Sequence, residues 1–176
     1  AFFERYVEKG LLSLKKTLNY IPNDVFVIAD GKRGDIFHSS KMYAESLYGE
    51  LNFNASTLNP YMGEDAILPF QREGKWSIIL AATSNPSSRD FQLLKTENGN
   101  PLYLEVVKKA QKWGSSNNIM FVVGGTNPTI ISDIRQHAPG FFFLVPGFGT
   151  QGGDLNEIFK VGKNSDIGLL VNCSRK

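Results

Sequence analysis

Short, near-continuous apolar runs alternating with helix-like segments constrain this chain more than any other feature. Val25–Ala29, Ser77–Ala82, Ile119–Val123, Phe141–Val145 and Ile167–Val171 are five or six residues each, and Phe53–Leu58 adds a sixth. Strands apolar along both faces must be buried on both, as parallel sheets covered by helices allow. The intervening segments supply the helices. Residues 2–19 put Phe2, Phe3, Tyr6, Leu11, Leu14 and Leu18 at roughly helical spacing. Further helices are expected over Ser39–Leu51, Pro101–Trp113, Asn127 to about His137 and Leu155–Val161. Pro128 suits a first helical turn, and Asp154 can cap the helix it precedes. Glu64–Glu73 reads as a short helix broken by Pro69, and Ser84–Asn100 as a long loop with room for one helical turn.

Every strand then runs into polar or glycine-rich sequence: Asp30–Asp35, Asn59–Gly63, Thr83–Pro86, Gly124–Asn127, Pro146–Gly153 and Asn172–Arg175. Ligand groups supplied by so many strand ends favour a closed (β/α) barrel over a doubly wound sheet. An eight-stranded barrel takes about 250 residues, and the chain has 176. The expectation is an α/β chain of one domain over 1–176. It reads as a (β/α)8 TIM barrel without its first two strands and closing helix, a fragment that opens on Ala-Phe-Phe-Glu.

Composition removes several classes of partner. Nineteen basic and 17 acidic residues leave a formal charge of +2. Lys9, Lys15 and Lys16 make a solvated helix face, too sparse a cluster for nucleic acid. The sequence has no run of about 18 apolar residues of the kind that spans a membrane. Cys173 is the only cysteine, so no internal disulfide can form, and its place after an apolar run suggests burial. Two histidines and one cysteine cannot build a Cys/His zinc cluster. Trp76 and Trp113 read as packing residues.

The densest chemistry lies in Asp30-Gly31-Lys32-Arg33-Gly34-Asp35. Asp30 and Lys32, two apart at a strand end, share a face. Asp35 lies beyond that alternation and depends on the loop. Gly31 and Gly34 are expected to let the loop turn tightly or approach a ligand. The carboxylates would repel phosphate, but they can bracket a lysine or press against a substrate carboxylate. A solvated turn with a salt bridge is the plainer alternative. Pro146–Gly153 carries four glycines whose N–H groups could hold phosphate. It has neither the P-loop ending nor the dinucleotide fingerprint, and a structural turn competes here as well. Arg175 could fork onto a phosphate. Ser84, Asn85 and Gln92 could meet the edge of an imide ring.

Taken together, these segments resemble the orotidine 5'-phosphate decarboxylases, in their longer bacterial and protozoan-like branch. The family's Asp-x-Lys-x-x-Asp motif stands as Asp30, Lys32 and Asp35, followed by Ile36. Asn59–Gly63, Thr83–Pro86 with Phe91-Gln92, Pro146–Gly153 and Asn172–Arg175 match in order and spacing over essentially the whole chain. The resemblance implies a cofactor-free decarboxylation of orotidylate to uridylate and CO2. It implies a cytoplasmic homodimer with active sites at the subunit interface, and no nucleic-acid or membrane partner. Lys32 would protonate C6 of the pyrimidine and Asp30 would sit by the substrate carboxylate. Asp35 would reach the partner's site, helped by Ser39 where threonine is usual. Ser84 would contact the pyrimidine, and Gln151 and Arg175 the 5'-phosphate. Ile36, Pro146 and Ser174 would complete the substrate site. Phe37 and His38 depart from the family's glycine and asparagine. The resemblance puts one aspartate and one lysine of the family's charged network upstream of Ala1. Two other readings stay open: a related barrel acting on another phosphorylated substrate, and a non-catalytic nucleotide-binding barrel fragment.

Overall fold

The computed structural model describes residues 2–147 and 153–172. The chain divides into two compact units, residues 1–76 and 77–176.

The first unit opens with a 3-10 turn at Glu4–Tyr6 and helix α1 (Val7–Tyr20). The helix is there, but its amphipathic pattern does not mark a core. Phe2, Tyr6, Leu11 and Tyr20 are exposed, and Gly10 is its one buried residue. Strand β1 (Ile28–Arg33) begins later than the apolar run predicts. Val25 closes a turn onto the Pro22 carbonyl, and the Val27 N–H goes to Asn54 Oδ1. Val25 and Phe26 are consequently exposed, and Asp30–Arg33 belong to the strand itself. Helix α2 (Phe37–Ala44) continues into a π-helical turn at Glu45–Glu50. Phe37 therefore takes an ordinary helical conformation.

Strand β2 (Ala55–Leu58) is buried along its whole length and runs parallel to β1. The expected 64–73 helix is replaced by 3-10 turns at Glu64–Ala66 and Leu68–Phe70, because Pro69 cannot supply the N–H of a continuous helix. Phe70 is fully buried and meets Tyr48 edge-on.

The second unit is a parallel sheet in chain order: β3 (Trp76–Ala82), which starts one residue before the boundary, then β4 (Ile119–Val123), β5 (Phe142–Pro146) and β6 (Leu169–Asn172). Sequential parallel order requires a crossover between neighbouring strands. Helix α3 (Leu102–Ala110) follows β3, α4 (Pro128–His137) follows β4 and α5 (Leu155–Gly162) follows β5. Pro128 takes the first position of α4 and Asp154 caps α5, as the sequence indicates, and the Asn127 side chain caps α4. The 84–100 loop holds a 3-10 turn at Pro86–Asp90. Phe121, Phe143, Ile78, Ile79, Ile119 and Ile134 are fully buried, each contributing about 1.5–3 kcal/mol of apolar burial. The last strand starts two residues late, since Ile167 and Gly168 both have positive φ and turn the chain into it.

Candidate functional site

The parallel pairing of β1 and β2 breaks where the charges sit. Ile28 pairs with Ala55 and Ala29 with Ser56, but the next pair is Arg33 with Leu58. Asp30, Gly31 and Lys32 therefore bulge outward against the single residue Thr57. Bulges re-aim side chains and recur next to active sites. The bend is carried by Lys32, at φ +47°, and not by the glycines on either side of it. Lys32 is one of four described non-glycine residues with positive φ, alongside Val7, Asn52 and Ile167. For an L-residue this conformation costs about 1–2 kcal/mol. Gly34 has a different use. A Cβ there would come within 3.0 Å of Asn59, whose N–H binds the Arg33 carbonyl.

The bulge brings Lys32 Nζ within 2.6 Å of Asp30 Oδ1. The same carboxylate oxygen accepts a 2.9 Å hydrogen bond from Thr57 Oγ1. That hydroxyl in turn accepts the Lys32 backbone N–H at 2.9 Å. Burial pushes the Asp30 carboxyl up. The hydrogen bonds from Lys32 and Thr57, with the lysine charge, more than offset this and hold it below its ordinary value. Both members of the ion pair are about half-exposed, so the pair itself adds less than about 1 kcal/mol. Stability alone gives little return for the left-handed Lys32.

Asp35 is aligned differently. Its Oδ1 accepts the Ile36 N–H, and its carbonyl accepts Ser40 Oγ, at 2.8 Å each. These bonds fix the start of α2. Ser39 is half-buried on α2, while Ile36 and Phe37 are exposed. Arg33 lies between the motif's acids but turns away from Asp30. It pairs with Glu4 and stacks over Tyr43.

In the second unit, Ser84 lies just past β3. The neighbouring Thr83 is clasped by Gln92: Thr83 N–H donates to Gln92 Oε1 at 2.8 Å, and Gln92 Nε2 donates back to Thr83 Oγ1 at 2.9 Å. Thr83 Oγ1 donates to Asn85. Gly124, past β4, approaches so closely that a Cβ would lie 2.7 Å from the Ser84 nitrogen. Pro146 ends β5, and its carbonyl accepts the Gly125 N–H at 2.8 Å. Gln151, Cys173, Ser174 and Arg175 lie outside the described residues. Among the described residues, no group of three or more His, Cys, Asp or Glu side chains is placed to hold a metal ion, and no helix is long and apolar enough to cross a membrane.

Thr57 was not a sequence candidate. The available signal was a pair of hydroxyl residues, Ser56-Thr57, inside a strand that is completely buried.

Parallel strands in sequential order, helical crossovers and polar groups at the carboxyl ends are the organisation of a (β/α)-barrel protein. The chain belongs to the orotidine 5'-phosphate decarboxylase / HUMPS family, which it matches over residues 2–175. It is 49% identical to the orotidine 5'-phosphate decarboxylase of Bacteroides fragilis and 50% identical to that of Flavobacterium johnsoniae, over 99% of this chain in both cases. The chain spans 65% of the length of each of those relatives. Among solved structures, the Leishmania donovani UMP synthase superposes with a TM-score of 0.93 at 38% identity, covering 98% of this chain and 39% of that one. The Leishmania donovani OMP decarboxylase gives 0.91 at 35% identity, covering 98% of this chain and 68% of that one. The fold is thus that of a partial (β/α) barrel.

Proposed function

We propose that the protein carrying this chain decarboxylates orotidine 5'-phosphate to uridine 5'-phosphate. The observation that carries this reading is the Lys32 ammonium, held 2.6 Å from the Asp30 carboxylate on a bulged strand end. In the reaction, the bond from C6 to the carboxyl carbon breaks, and its electron pair stays on C6. That carbanion has no conjugated sink, so its stabilisation must be electrostatic. Lys32 Nζ beside C6 offsets the developing charge, then donates its proton there and recovers one from water. Asp30 next to the departing carboxylate disfavours the bound ground state. No step calls on a metal or redox group.

The remaining residues take binding roles. Asp35, with Ile36 and Ser39, reaches the ribose in the partner's site of a homodimer. The exposed apolar side chains of Ile36, Phe37 and Tyr61 support a subunit contact there. Ser84 meets the pyrimidine, on a loop tied down through Thr83 and Gln92. Gln151 and Arg175 hold the 5'-phosphate, whose remote binding energy orders the reacting end, and Pro146 and Ser174 complete the substrate site. A single cysteine suits the reducing cytoplasm.

The test is loss of orotidylate absorbance with the full natural chain, in the presence of a metal chelator. Turnover is expected, and Lys32→Ala should reduce it roughly 1,000-fold or more while still binding uridine 5'-phosphate. Wild-type turnover by Lys32→Ala would sink the assignment. A requirement for metal would redirect it to a related phosphosugar reaction.

A further inference from the structure

We propose that Thr57 is a positioning residue for this reaction, its buried hydroxyl locking the Lys32 backbone to the Asp30 carboxylate so that the ammonium is aimed before substrate arrives. The inference rests on the functional reading above and names a residue outside the Asp-x-Lys-x-x-Asp motif.

Three observations carry it. Thr57 is fully buried in β2 at the one place where the β1–β2 register slips. Its Oγ1 uses both capacities of a hydroxyl, accepting the Lys32 N–H and donating to Asp30 Oδ1, each at 2.9 Å. Lys32 Nζ then returns to that same carboxylate oxygen, closing a ring of backbone amide, hydroxyl, carboxylate and ammonium. A regular strand would give the Lys32 N–H a ladder carbonyl. The bulge removes that partner, and the Thr57 hydroxyl replaces it. Without the hydroxyl, a part-buried amide loses its acceptor at a residue already in the left-handed region. The backbone would relax toward ordinary φ and carry the ammonium with it. Misplacing a reacting group by about 1 Å can cost roughly 100-fold in rate.

Orotidylate turnover, uridine 5'-phosphate affinity and hydrogen exchange of the Lys32 amide should be measured in wild type, Thr57→Val and Thr57→Ser. Thr57→Val keeps the shape and removes the hydroxyl, and Thr57→Ser keeps the hydroxyl. Thr57→Val is expected to lower kcat roughly 10- to 100-fold, to bind the product as wild type does, and to speed exchange at Lys32. Thr57→Ser should retain most of the turnover and the slow exchange. Equal kcat losses in the two variants would overturn the proposal, since they would reflect packing alone. So would wild-type kcat and exchange in Thr57→Val. Should Thr57→Val fail to fold, Thr57→Ser against the similarly shaped, weakly hydrogen-bonding Thr57→Cys makes the same comparison. A wild-type protein that leaves orotidylate untouched would overturn the functional reading instead, and the exchange rates would still decide whether Thr57 holds Lys32.

Discussion

Two charged side chains in this protein are held in opposite ways. Lys32 stands half-exposed on a bulged strand, in a left-handed conformation, against one carboxylate. Arg135 of α4 is buried, and its side-chain hydrogen bonds among the described residues all go to backbone carbonyls. Its Nε donates to the Gly162 carbonyl at 2.7 Å and its Nη2 to that of Gly168 at 2.9 Å. Its Nη1 is shared among the carbonyls of Ala138, Pro139 and Phe141. The guanidinium also lies 3.7 Å from the centre of the Phe143 ring. Burial pulls its pKa down to about 10, so it stays charged at neutral pH. Arg135 therefore ties together the ends of α4 and α5 and the starts of β5 and β6, with each of its three side-chain nitrogens donating to a backbone carbonyl. A charge so completely satisfied is architecture. A charge kept at the surface on a costly backbone, in a pair worth little to stability, is what the proposed chemistry at Lys32 would require.

The largest effect that could break this contrast is on stability. Arg135→Met keeps much of the apolar volume but takes a donor from five carbonyls, of which those of Ala138, Pro139 and Gly168 keep a second one. The expected loss is about 3 kcal/mol or more in urea unfolding, with little change in kcat for the molecules that stay folded. A small stability loss, or a selective loss of kcat, would put Arg135 in the same category as Lys32.

Much of this was legible in the sequence, and the exceptions have physical causes. β4 occupies the predicted residues, and Pro128 at the start of α4 and the Asp154 cap of α5 were readable, because apolar runs and helix starts are local signals. β1 was misplaced because Val25 and Phe26 look like strand core, while Asn54 diverts the backbone of Val27. Asp30 and Lys32 were rightly read as neighbours, but through simple strand alternation. The actual route is a bulge created by pairing with a strand 25 residues further along the chain. Flexibility was assigned to Gly31 and Gly34, yet the left-handed residue is Lys32, since only tertiary hydrogen bonds decide which residue must bend. Arg135 did leave a trace. It falls one helical turn after Ile131, on the buried side of an amphipathic helix.

A smaller effect isolates the backbone of Lys32 from its charge. Lys32→Ala and Lys32→Gly both remove the ammonium, but only glycine accepts φ +47° freely. At an ordinary position the alanine protein would be the more stable of the two. Here the glycine protein is expected to be more stable by about 1 kcal/mol, read from paired urea denaturation curves. The reverse order would mean that the bend at Lys32 carries no cost and the contrast with Arg135 loses its basis.

The smallest effect separates the two charges by pH. The Asp30 carboxyl is held below its ordinary value of 3.8, as the hydrogen bonds and charge of its partners outweigh burial. A depressed carboxylate contributes stability above its unfolded pKa and loses it as pH falls through the lower folded value. Wild type should therefore lose its advantage over Asp30→Asn as the pH drops below about 3.8. With the Asp30 side chain 57% exposed, solvent screening keeps that advantage under about 1 kcal/mol even at neutral pH. Arg135, whose pKa lies near 10, does not titrate in this window, and the cost of Arg135→Met should be the same at both ends of it. Unfolding free energies at about pH 6 and about pH 3 for wild type and the two variants would measure this. A pH-independent deficit in Asp30→Asn would show that the ring of Asp30, Thr57 and Lys32 holds its geometry without the aspartate's charge. The reason for the carboxylate would then lie outside stability.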